Sequence, residues 1–422
     1  MHPPITAAGP SSYTAPVSTA RVGAGILVII GLGGLFAGIT GPLVSAFIPP
    51  LVQDSVGDRR TLIGAIMAID NVLLLLLVPW SGPASDRASA RGLGRRRLVI
   101  AGFLFAALGM ASLPVSAAWG LGAVIMVLVV LHGGINLQRA PFHALLADVV
   151  PSHQRSLAAG SVTFQMCVAA IVFLVLGRAL GMTAAFLVAA VTVLATAAAL
   201  SVFLSERATS TATAGDVTYR SMLLTLWSAV RGAIPGMRSV FIAALLLQLT
   251  FQTFTTWFAL HAPERFGMRP EDVTVGFIAW ALGGVVGALP AGFIGSRIGR
   301  RNAMLAGFVL MVITLVALDR VEHWSLAIPL LGLASASWTL PMVNAYPLFV
   351  EPVPRERRGL LASLYLLAMA LGGALGDPFN GRVFDTTGSY RPLFLIMAAY
   401  TALAVVAVLA IPRGAGEANR GS

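Results

Sequence analysis

Apolar runs long enough to cross a bilayer recur along this whole chain, and they leave few folds open to it. Twelve can be counted, near residues 22–49, 61–82, 97–114, 119–147, 157–177, 182–204, 238–260, 273–295, 302–318, 324–348, 359–377 and 392–411. A helix of about 20 apolar residues spans the hydrocarbon core. Inside that layer each backbone N–H and C=O needs a protein partner, so every run is expected to be a transmembrane helix. Composition agrees, since only 11% of the 422 residues are charged, against about 25% in soluble domains. A large soluble domain is excluded on that count.

The charges that remain are distributed as topology signals. Net charge is +11, and every basic residue is Arg. A basic excess can mean nucleic acid, but these arginines sit in short connections between apolar runs, the pattern of the positive-inside rule. With the N-terminus inside, cytoplasmic connections hold Arg87, Arg91, Arg95, Arg96 and Arg97, then Arg155, then Arg207, Arg220, Arg231 and Arg238, then Arg297, Arg300 and Arg301, then Arg355, Arg357 and Arg358. The opposite connections carry fewer. The expected location is therefore the cytoplasmic (inner) membrane, multi-pass, with both termini cytoplasmic, the lipid bilayer as partner and no nucleic acid. Residues 1–20 carry no charged side chain, and the run after them is too long for a cleaved signal peptide. They are expected to form a disordered cytoplasmic tail. The single cysteine, Cys167, lies in an apolar run and reads as a small buried hydrophobe. No disulfide framework, metal site or cofactor is expected.

The chain divides into two sets of six runs. Residues 21–204 form the first six-helix bundle and 238–411 the second. Residues 205–237 form a Thr/Ser/Ala-rich, then amphipathic, cytoplasmic connection, and 412–422 a cytoplasmic tail. The halves repeat one another. Gly82, Asp86 and Arg87 followed by Gly94, Arg95 and Arg96 return as Gly292, Ser296 and Arg297 followed by Gly299, Arg300 and Arg301. Asp148, Pro151 and Arg155 return as Glu351, Pro354 and Arg358. Two matches in the same order argue for duplication of a six-helix unit.

Within the fourth run, His132, Asn136, Arg139 and His143 are spaced four, three and four apart and share one helix face. An arginine in a spanning helix costs about 2.5–3.5 kcal/mol even on insertion scales, so a cavity, a carboxylate or a solute is expected to face Arg139. Asp70, with Asn71 beside it, lies deep in the second run and is the candidate proton-coupling acid with Arg139 as partner. At about 1.5 Å per residue, Asp70 stands roughly 18 Å above Gly82 and Arg139 roughly 13 Å above Asp148, a gap a long side chain can span. The alternative is that Arg139 binds solute directly through its fork. Amide and aromatic groups suited to a hydroxylated solute are Asn71, Asn136, Gln165, Gln248, Gln252, Trp338 and Asn344, with His132 and His143. Interhelical hydrogen bonding would use the same groups. Asp377 is expected near the outer end of its helix, as an end residue or an outer gate.

The connection around Gly82–Arg97 carries the candidate gating residues Gly82, Asp86, Arg87, Arg95 and Arg96. Gly82 lets helices approach, and Asp86 at a helix end can accept hydrogen bonds and pair with arginine. The counterparts are Arg297, Arg300 and Arg301, with Asp148, Arg155, Glu351 and Arg358 closing the other pair of helices. A plain basic anchor would not need the order Gly-Asp-Arg-Gly-Arg-Arg.

These residues resemble the signature loop of the major facilitator superfamily, and the resemblance covers nearly the whole chain. Asp70-Asn71 leading to Pro79-Trp80 and Gly82–Arg87, with Arg139-Ala140-Pro141, Asp148, Pro151 and Arg155, is similar to bacterial relatives of the sucrose–proton symporters, near the glycoside–pentoside–hexuronide cation symporters. Ala140 stands where a small polar residue is familiar, Ala159 where an Asn often precedes glycine, and His143 where plant members carry an arginine. The resemblance implies an all-α membrane protein of two pseudo-symmetric six-helix bundles and a monomer. It also implies proton-coupled symport (or Na⁺ coupling) of a small-molecule solute, a di- or oligosaccharide, by alternating access.

Two other functions compete. A proton-driven multidrug or secondary-metabolite exporter of the same superfamily would share the loop. A non-transporting membrane binding protein would not need a buried titratable pair. An enzyme is not expected, because no nucleophile–base order or metal spacing occurs.

Overall fold

The computed structural model describes residues 23–151, 154–203, 237–350 and 355–411. The expected tails over 1–20 and 412–422, and the connection over 205–237 apart from Met237, lie outside the described residues.

The elements are α1 (Ala24–Val56), α2 (Arg60–Met67), α3 (Ile69–Ala90), α4 (Arg96–Ser116), α5 (Leu121–Val149), α6 (Arg155–Phe203), α7 (Met237–Phe266), α8 (Thr274–Ile298), α9 (Arg300–Arg320), α10 (Trp324–Val350), α11 (Arg355–Thr387) and α12 (Leu393–Leu409). Among the described residues nine helical stretches are long and apolar enough to cross a membrane. One of these, Arg60–Ala90, contains both α2 and α3, jointed at Ala68. Another, within α6, is two rods: Gly181 leaves helical geometry at φ 76° and ψ 172°, a region glycine enters without steric penalty. The fifth and sixth apolar runs thus join without a loop. With α11 and the shorter α12, twelve spans fall into two sets of six among the described residues.

The same partnerships recur in each set. In the first, α4 packs on α5 and α6, α3 on α5, and α1 on α6; in the second, α9 packs on α10 and α12, α8 on α10, and α7 on α11. Between the halves, α2 and α3 meet α11, α1 meets α7, and α6 meets α8.

The α2/α3–α11 crossing is close because the chain supplies small residues there. Gly381 abuts the carbonyl of Arg60, Gly64 the carbonyl of Asp377, and Gly373 the side chain of Asn71. A Cβ on any of these glycines would collide, and the rising-against-falling numbers make the helices antiparallel. Such tight backbone approach is what holds helices together where lipid removes the hydrophobic drive.

One end of this interface, the closed end, is tied by polar contacts. Asp385 accepts from the N–H groups of Arg60 and Thr61, each at 2.9 Å, and from the Thr61 hydroxyl. Arg60 donates to the Gly388 carbonyl and Gln53 to the Tyr390 hydroxyl, and between α6 and the residues leading into α8 Arg178 donates to Asp272. Among the described residues, the main packing of α5 and of α10 lies within their own halves.

Two expectations change. Helix α11 does not stop with the apolar run at 359–377, which would leave Asp377 near its outer end; it runs on to Thr387 and encloses Asp377. The polar residues Asn380, Arg382 and Asp385 end the apolar stretch but not the helix. Gly82 is not a point of forced close approach: an added Cβ would sit 3.7 Å from Ala140, an ordinary contact.

Candidate functional site

The polar face of α5 meets Asp70 of α3. Asn136, fully buried, donates its amide to Asp70 Oδ1 at 2.8 Å and to the Asp70 carbonyl at 3.2 Å. Nδ1 of buried His132 lies 3.0 Å from the same carboxylate oxygen, off the hydrogen-bond line. The Asp70 side chain keeps 35% of its surface exposed. Further along the face, Arg139 and His143 are exposed. The charge of Arg139 reaches both Asp70 and His143. The immediate neighbours of Asp70 are therefore His132 and Asn136, and Arg139 acts on it through its field.

The second half carries a buried counterpart. Gln252 of α7 donates to Asp377 Oδ2 at 3.0 Å and to the Thr256 hydroxyl at 3.2 Å. Asn380 donates to Thr253 and accepts from the Tyr400 hydroxyl. Gln248 lies against Gly372. Buried Trp338 stacks on Phe251 with ring centres 4.9 Å apart and leans on Trp280. Offset aromatic stacking of this kind makes a firm apolar wall.

Three of the residues expected to meet a solute make contacts between helices in this structure. Gln165 donates to the Val28 carbonyl, tying α6 to α1. Asn344 donates to the Ala291 and Leu340 carbonyls, tying α10 to α8. Asn71 is wedged against Gly373.

Arg95 is the hub of the candidate gate. Only 4% exposed, it donates Nε to Asp148 at 2.7 Å and Nη1 to Asp86 and to Ser85. It thereby pins the ends of α3 and α5 to the start of α4. Burial works against its charge, but hydrogen bonds to Asp86 and Asp148 outweigh that, so the guanidinium holds its proton more firmly than in water. Arg96 donates to the Ser201 carbonyl. Arg301 donates to the Ile411 and Leu409 carbonyls, and Arg297 lies over the Phe293 ring. Arg87 is exposed and Arg300 partly buried. Glu351 lies outside the described residues, as do the side chains of Arg155 and Arg358.

Sequence reasoning missed the Arg60–Asp385 contact and undervalued Asp377. The signal was present: Gly373, Asp377 and Gly381 are four apart, a stripe on one face of a helix.

A family model described as Major Facilitator Superfamily matches residues 29–280 and again 240–422. The galactose–proton symporter of Escherichia coli (strain K12) is 30% identical over 135 residues, 31% of this chain and 28% of the relative. The arabinose–proton symporter of the same strain is 29% identical over 136 residues, with the same coverage. The efflux pump FUB11 of Gibberella moniliformis (strain M3125 / FGSC 7600) is 28% identical over 144 residues, 34% of this chain and 24% of the relative. Each match thus spans under a third of the curated relative's length. Among solved structures, a bacterial homologue of the human lysosomal transporter Spinster, inward-facing and occupied, superposes with TM-score 0.72 at 13% identity, covering 91% of this chain and 95% of that one. A point mutant of the nucleoside transporter NupG gives TM-score 0.71 at 11% identity, covering 91% and 99%.

Proposed function

The chain belongs to the Major Facilitator Superfamily, and from that premise we propose that it is a secondary transporter coupling a polar organic solute, a di- or oligosaccharide, to proton symport. The observation that carries this reading is the Asp70 carboxylate, one-third exposed, held by Asn136 beside His132 and within the field of exposed Arg139. A carboxylate deep in a spanning helix marks an ion or solute pathway, and its exposure lets it exchange a proton with water. Arg139 offers a bidentate donor to a hydroxyl pair or carboxylate. The symporter relatives support a sugar and a proton as the coupled pair. With the Arg95 end cytoplasmic, this conformation is the inward-facing one, and alternating access closes that end while the Asp385 end opens.

A second reading, proton-driven export of a drug or secondary metabolite, is favoured by the aromatic wall of Phe251, Trp338 and Trp280 and by the efflux-pump match. A thermal-shift screen of purified protein separates the two. Stabilisation by sugars supports symport, because a ligand bound only to the native state raises its melting temperature. Stabilisation by hydrophobic cations alone supports export and ends the sugar reading.

A further inference from the structure

The interface that seals the closed end has a carboxylate inside it. Asp377 has no exposed surface. Its Oδ2 accepts one hydrogen bond, from Gln252, and its Oδ1 is buried without a partner. Among the described residues no cationic side chain forms an ion pair with it. Helix α7 presents Gln252, with Thr256 and Trp257 beside the carboxylate; α2 presents the backbone at Gly64. The titratable groups that reach it are Asp70 from α3 and the Tyr400 hydroxyl from α12, which is turned to Asn380. Asp70 has the same sign of charge as ionised Asp377.

An ionised carboxylate sealed from water needs a partner charge or a full set of donors, and without them it takes a proton instead. Asp377 also stands where the halves must part: the carbonyl of Asp377 abuts Gly64 across the α2–α11 contact, between the Gly373 and Gly381 contacts. When that contact opens, water reaches the carboxylate and lets it ionise.

We propose that Asp377 is a proton-binding site that must be filled before the closed end can form. On the outer side, a proton from water adds to a carboxylate oxygen and forms the O–H bond; no other bond changes. The closing movement then traps the neutral acid between α2, α7 and α11. Asp70, one-third exposed, remains the group assigned to meet solute and inner water. The inference rests on the symport reading for its role in transport, but the closure itself is measurable without any solute.

The test is a distance measurement across the closed end. Spin labels at Asp58→Cys and Thr386→Cys, in a Cys167→Ser background, are placed on the full chain in lipid vesicles and read by pulsed electron resonance from pH 5 to pH 9. Otherwise native protein is expected to show the short distance at low pH and a growing long-distance population as pH rises. Asp377→Asn, which mimics the neutral acid, is expected to stay short throughout, and Asp377→Glu to restore the pH dependence. The proposal is overturned by a native distance that does not change with pH, a result that needs no variant. It is equally overturned by Asp377→Asn retaining the native pH response. Loss of the symport reading would show separately, as solute flux without proton movement, and would leave this distance test standing.

Discussion

Arg96 and Arg301 hold the same place in the two halves: Arg96 donates to the Ser201 carbonyl near the end of α6, and Arg301 to the Leu409 and Ile411 carbonyls at the end of α12. The last carbonyls of a helix have no partner within it, and a guanidinium from the first turn of a neighbouring helix supplies one. The duplicated unit has kept this contact while its acids have diverged, Asp86 in one half against Ser296 in the other.

That divergence leaves Arg95 with two carboxylates to hold in the first half. Replacing it with Ala strands Asp86 and Asp148, whose side chains are 28% and 21% exposed. Because water reaches both, the loss is expected at the lower end of the range for unsatisfied groups, about 1–3 kcal/mol. Arg95→Lys should recover little, since an ammonium cannot reach in two directions as the fork does. Thermal unfolding of purified protein measures both; native stability in Arg95→Ala would remove Arg95 as the hub.

Glycine geometry separates two substitutions that look alike. Gly64→Ala pushes a methyl into the carbonyl of Asp377 and should prevent closure of that end, abolishing transport while the separate halves still fold. Overpacking of this kind costs about 1–3 kcal/mol. Gly82→Ala meets only Ala140 at 3.7 Å and should transport normally. Vesicle uptake assays on the two variants check the contrast, and equal activities would contradict so close a crossing of α2 and α11.

Asp385 latches the closed end by capping the first turn of α2 from the other half. Burial alone would raise its pKa, but hydrogen bonds from Thr61 and Arg60 outweigh it and hold the carboxyl below the usual range. Its contribution is therefore complete above the ordinary carboxylate pKa and is lost only as pH falls through the lowered value. Asp385→Ala should weaken closure by about 0.5–2 kcal/mol, the worth of a helix cap, and lengthen the Asp58–Thr386 distance at neutral pH. Any pH response of closure near neutrality should survive in this variant, because it comes from a different group.

The spans were legible because bilayer thickness and backbone hydrogen bonding dictate long apolar helices, whatever the neighbours. The α5 face was legible for a similar reason: His132, Asn136, Arg139 and His143 fall on one side at helical spacing. What Asp70 touches was not, since the nearest partner depends on helix rotation, and it brought Asn136 and His132 forward of Arg139. Asn344 and Gln165 read equally well as solute contacts or helix ties, and only the packing put them on carbonyls of α8 and α1. At Asp377, the end of an apolar stretch is not the end of the helix. The four-residue stripe with Gly373 and Gly381 is the better guide.

Exchange of Arg139 probes the solute side. Arg139→Lys keeps the charge that reaches Asp70 but loses the planar fork, so transport is expected to fall at least tenfold, about 1.4 kcal/mol, with Asp70-dependent proton movement intact. Uptake with native kinetics would exclude Arg139 from solute contact.

On the proposed symport, solute and proton move together through Asp70. Protein reconstituted in vesicles with an internal pH dye, challenged in turn with galactose, arabinose and sucrose, measures it directly. At least one sugar is expected to carry protons inward with it, and Asp70→Asn is expected to abolish this acidification and accumulation while sugar exchange persists. Sugar uptake without proton movement, or full accumulation by Asp70→Asn, would contradict it.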